Sequence, residues 1–174
     1  MKKILNTSIL GVKIFFVVIC LVGVAIETLP STLATQIHET TKYQDSQWST
    51  VCVSDMKQVD NDIKSLTTAA KNYDFTSAST YAAILYTDSH KAIEDSDLYN
   101  VSPDLQGAKD EYNLAMIQAN RVAAYANSGV EEYNNGNFEA INADLKRAIE
   151  CIKSYNEHIK KVVKSSNNCQ SKKN

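Results

Sequence analysis

The stretch WSTVCVSDMKQVDNDIKSLTTAAKNYDF, residues 48–75, decides the fold class. Within it Cys52, Met56, Val59, Ile63, Leu66, Ala70 and Tyr73 recur at alternating steps of four and three. That spacing places all seven on one stripe of a helix, which must be buried against something. Asp74 then offers a side-chain acceptor to the free N–H groups of a following helix. The inward face of this second helix reads as Phe75, Ala78, Ala82 or Tyr81, Leu85 and Ala92, and its end falls between Asp97 and Tyr99.

Downstream, Ser102-Pro103-Asp104 combines a capping hydroxyl, a proline at the first helical position and a carboxylate beside the positive helix end. The third helix carries Leu105, Ala108, Tyr112, Ala115, Ala119, Val122, Ala126 and Tyr133. Its many alanines imply a close neighbour, or a narrow core that needs bulk from the opposite side. Asn134-Asn135-Gly136-Asn137 breaks it, and Asn137 can cap a fourth helix through Phe138, Ile141, Leu145, Ala148, Ile152, Tyr155, Ile159 and Val162. Lys160, Lys161 and Lys164 fall where the helix dipole favours cations. Short first-to-second and third-to-fourth connections force antiparallel neighbours. The expectation is an all-α, up-down-up-down four-helix bundle made of two helical hairpins, over residues 47–165, with a loose polar tail at 166–174. Asp74-Phe75 and Asn137-Phe138 occupy equivalent places, as a duplicated hairpin would produce.

Upstream of the bundle the chain changes character. Lys2, Lys3 and Lys13 precede the apolar run Ile14–Ile26, followed by Pro30 and the small residues of Thr32-Leu33-Ala34. This is the layout of an export signal at residues 1–34, with cleavage after Ala34. The run is about 20 Å long as a helix, against about 30 Å of bilayer hydrocarbon. A retained N-terminal anchor is the alternative, and it would be the chain's sole membrane contact. Residues 35–46 read as a polar spacer.

The whole chain has 174 residues, 5 Gly and 2 Pro, too few turn formers for a sandwich or barrel. With 18 basic and 20 acidic residues, net −2, it offers no basic footprint for nucleic acid.

Gly129, Gly136, Phe138, Leu145 and Ala148 give residues 122–153 a partial resemblance to a tetratricopeptide hairpin, with Glu132 where that family has an aromatic and Ile141 where it has a small residue. The helix from Cys52 to Leu66, the segment Val101-Ser102-Pro103-Asp104-Leu105 with Ala108-Lys109-Asp110-Glu111-Tyr112, and Gly136 also loosely resemble uncharacterised exported helical-bundle proteins of archaeal type. That resemblance implies an exported bundle and adds no catalytic residue.

Residues able to carry chemistry are sparse. His38 with Glu39 lies in the spacer. His90 has Glu94 one turn on, with Asp88, Asp95 and Asp97 near, but no second His or Cys stands at metal-ligand spacing. No Glu-x-x-His pair supports a di-metal carboxylate bundle, and no Gly-x-Ser-x-Gly elbow or Gly-rich phosphate loop occurs. The most concrete cofactor reading is haem b held by Met56 of the first helix and His158 of the fourth, about 4.5 Å apart in level if Tyr73 and Phe138 mark one end of the bundle. The nine tyrosines suit a bundle rim or a ligand groove. The expectation is an exported, non-enzymatic interaction or structural module with no resident cofactor and an unspecified protein partner. A ligand- or haem-carrying bundle is the alternative.

Without residues 1–34, Cys52, Cys151 and Cys169 remain, an odd number. In the expected register Cys151 lies about 12 Å above the level of Cys52, too far for a strain-free bridge. Cys52–Cys169 is therefore the favoured disulfide, with Cys52–Cys151 as the alternative.

Overall fold

The computed structural model describes residues 43–171, with side chains as far as Asn167. Among these residues there are four helices and no strand: α1 Asp45–Lys71, α2 Phe75–Asp97, α3 Pro103–Asn134 and α4 Phe138–Ser171. They pack as an up-down-up-down four-helix bundle of two hairpins, α1–α2 and α3–α4. Most of the expected inward stripes form its core, from Cys52, Met56 and Ile63 on α1 to Tyr155 and Val162 on α4, joined by Trp48; Tyr73 and Tyr133, at the stripe ends, are exposed instead. On α2 the inward position falls to Ala82, which is fully buried, with Tyr81 packed at the margin.

The two hairpin turns are built alike. Asp74 accepts from the Ser77 N–H at 3.0 Å, and Asn137 accepts from the Ala140 N–H at 3.4 Å, so both caps form as expected. One residue before each cap the backbone is left-handed, φ 57° at Tyr73 and 72° at Gly136. The next N–H reaches back to close each turn, Asp74 to the Ala69 carbonyl at 3.0 Å and Asn137 to the Glu132 carbonyl at 2.9 Å.

Helix α1 is joined to each of its partners by a side chain sunk in the bundle. Trp48 donates its indole N–H to Ser96 Oγ on α2 at 3.1 Å. The hydroxyl of Tyr112 on α3 donates to Asp55 at 3.1 Å, and that of Tyr155 on α4 donates to Asp60 at 2.8 Å. Tyr112 and Tyr155, expected on the inward stripes, are core residues with satisfied hydroxyls.

Several boundaries differ from expectation. Ser102 makes no side-chain cap: its Oγ is buried without a hydrogen-bond partner, and its N–H donates to Asp45 Oδ1 at 2.7 Å. Asp45 is thus engaged with the α2–α3 connection, and α1 begins there, inside the stretch read as spacer. At the other end α4 continues to Ser171, through most of the stretch read as a loose tail. The 1–34 segment lies outside the described residues. Among those described, no helix is long and apolar enough to cross a membrane.

The cysteine pairing needs correction. The Tyr155–Asp60 bond fixes the α1–α4 register four residues away from the one that levels Tyr73 with Phe138. Cys52 and Cys151 then differ in level by about 18 Å at helical rise, and both are free, buried thiols. Burial pushes both thiols above their ordinary range, so neither is a ready nucleophile. The Cys52–Cys151 bridge does not exist in this fold. The side chain of Cys169 lies outside the described residues, and with it the Cys52–Cys169 pairing.

Candidate functional site

At the end of the bundle that holds both hairpin turns, the residues facing inward become small. Ala70, Ala78, Ala126, Gly129 and Ala148 contribute little volume, one or two from each helix. Leu66 and Phe75 line one side, with Ile141, Leu145 and Ile152 on the other, and together they leave an apolar cleft of about 60 Å³ where all four helices meet. Its margin residues, such as Ala70, Phe75 and Ile152, are half-buried, so the space communicates with the surface.

Polar groups are all but missing from the walls. Thr67 is the one lining residue with a polar side chain, and its hydroxyl donates back to the Ile63 carbonyl at 2.7 Å. A ligand there would meet methyls, methylenes and aromatic edge, with no group to orient a charge or a polar head. Phe75 is held by stacking on Tyr133, ring centroids 3.9 Å apart. Ser128 and Arg147 bond Asp144, at 2.6 and 3.1 Å, on the α3–α4 side of the same region.

The residues singled out for chemistry lie elsewhere. The observed register brings Met56 and His158 to nearly one level, closer than expected. Met56 has no accessible surface, so a porphyrin could reach its sulfur only by displacing the core that covers it. His158 is mostly buried and its Nδ1 stands 2.6 Å from Glu111 Oε2 on α3. That ring, with Lys161, holds the Glu111 carboxyl below its usual range. His90 and Glu94 sit 3.6 Å apart on the exposed face of α2. Among the described residues, no group of three or more His, Cys, Asp or Glu is placed to hold a metal ion.

The cleft escaped the sequence reading, although its signal was present in the alanines of α3 and α4. Those alanines specify a missing volume only once the residues opposite them are known, and Ala70 and Ala78 prove to be small as well.

A scan against protein-family models, a search of curated proteins and a search of solved structures each found no match.

Proposed function

We propose that this protein is an exported, non-enzymatic interaction module whose working surface is the apolar cleft between its two hairpins, and that the cleft receives an apolar side chain of a partner protein. The size of the cleft carries this reading. Sites that enclose a small molecule or cofactor run to about 300–1,000 Å³, and a cavity of about 150 Å³ holds benzene. A space of about 60 Å³ takes part of one leucine or phenylalanine side chain and falls well short of a cofactor or drug-sized ligand. An anchor residue of a partner, inserted into a dry pocket and surrounded by contacts that exclude water, is the usual source of interface affinity. The signal-like layout of residues 1–34 supports export, and places the partner in the cell envelope or outside the cell.

The test is a paired capture from the envelope of the native cells. Full-length protein and its Ala126→Leu/Ala148→Leu variant, both checked for helix content, are crosslinked in parallel. A partner held by the unmodified chain and lost from the filled variant is expected. Identical capture by both would overturn the cleft as the working surface. A Soret absorbance band in the purified protein, lost in Met56→Ala or His158→Ala, would replace this reading with the haem-carrying alternative.

A further inference from the structure

Acidic side chains face each other along the α1–α2 seam. Asp55 and Asp62 are seven residues apart on α1, and Asp88 and Asp95 are seven apart on α2. Seven residues is close to two helical turns, so each pair lies on one flank of its helix. At one level Asp55 accepts from the Tyr112 hydroxyl at 3.1 Å, and Asp95 is paired with Lys91. That level is supplied by its neighbours, a hydroxyl for Asp55 and an ammonium for Asp95.

The other level is not. The Gln58 amide Nε2 stands 3.2 Å from Asp62 Oδ1 and 3.2 Å from Asp88 Oδ2, so one amide serves two carboxylates. Asp62 is only 6% exposed, and its second oxygen, Oδ2, is buried with no hydrogen-bond partner. A buried carboxylate oxygen lacking a donor, with a second carboxylate on the same amide, calls for a proton or another donor between them. Two lysines line the groove beside the pair, Lys57 and Lys91, and neither forms an ion pair with Asp62 or Asp88: Lys91 is paired with Asp95 and acts on Asp88 only from farther off. Two carboxylates and one amide fall well short of the six to eight oxygens calcium takes. A proton needs only the two oxygens.

We propose that Asp62 holds a proton and donates it to the Asp88 carboxylate, a bond that clasps α1 to α2 in mildly acidic surroundings and is lost as the surroundings become neutral. Burial first, and the adjacent Asp88 second, push the Asp62 carboxyl up to about 6. The folded chain therefore retains a proton that the unfolded chain gives up near pH 4. Stability falls as pH rises through the interval between those values and levels off above it. Asp55 and Asp60, also raised by burial, act in the same direction, each opposed by its tyrosine donor.

The full-length chain, in mild detergent, is melted at pH 5.0 and 7.5. The melting temperature should be about 5 °C higher at pH 5.0. Asp62→Asn, which supplies a donor without a charge, should melt above the unmodified chain at pH 7.5 and lose most of the difference. Asp88→Asn, at the half-buried partner, should do the same and keeps the test open if Asp62→Asn fails to fold. Asp110→Asn on α3 should leave the difference intact. Equal melting at the two pH values, or a difference that survives Asp88→Asn, would overturn the proposal. So would 5 mM calcium at pH 7.5 stabilising the unmodified chain as much as acid does, since a cation would then occupy the pair.

Discussion

The two halves of the bundle solve the same packing problem with opposite means. In the half that holds the α2–α3 connection, Trp48, Tyr112, Met56, Met116 and Tyr155 fill the interior with no more than 1% exposure. Trp48 meets Tyr112 edge-on, with centroids 6.2 Å apart, and both tyrosine hydroxyls are bonded to aspartates. In the half with the two hairpin turns, five small residues face one another and a cleft remains. One helical scaffold thus carries a tightly specified core and an underfilled one, and the underfilled half is free to accept something from outside. Bulk on one helix does not compensate for absence on another unless the two lie at the same level.

Substitutions separate the halves in sign and size. Trp48→Ala removes the largest fully buried side chain and its bond to Ser96, and should cost about 3–5 kcal/mol by urea unfolding. Tyr155→Phe leaves Asp60 without its buried donor and should cost about 1–3 kcal/mol. Ala119→Leu overfills the packed half and should cost a similar amount, about 1–3 kcal/mol. The same change in the open half, Ala126→Leu, should instead stabilise by about 1 kcal/mol, because the added methylenes enter existing space. A loss there equal to that of Ala119→Leu would mean that the cleft closes in solution. Gly129→Ala is the smallest and finest test. Its added methyl would meet only the Asp144 Cβ at 4.0 Å, and the helix should gain roughly 0.5–1 kcal/mol.

Much of this architecture was legible along the chain. The four-three stripe of α1, the Asp74 and Asn137 caps and Pro103 at the start of α3 each rest on local chemistry, and all are found. What depends on meeting another segment was not legible. Ser102 resembles a cap, yet Asp45, 57 residues away, takes its backbone N–H. The α1–α4 register is fixed by Tyr155 and Asp60, 95 residues apart, and the four-residue error in level followed from assuming that the turns align. The Asp62–Asp88 pair was hidden differently. Its sevenfold spacing stands in the sequence, but acids on helix flanks are usually solvated, and only the lack of a donor at Asp62 Oδ2 sets this pair apart.

Among the described residues the α2–α3 connection, Leu98–Ser102, is the single covalent link between the hairpins, and it lies at the end opposite the cleft. From Ser102 to Ala126 is 24 residues, about 36 Å of rigid rod. The hairpins are in effect the two arms of a pair of tongs, and the link is their pivot. Over such an arm a rotation of about 5° widens the tips by about 3 Å, close to the thickness of one methylene chain. Gln44 and Asp45 grip this pivot through Asn100 and Ser102, so these bonds sit where a small angular change becomes the largest displacement at the cleft.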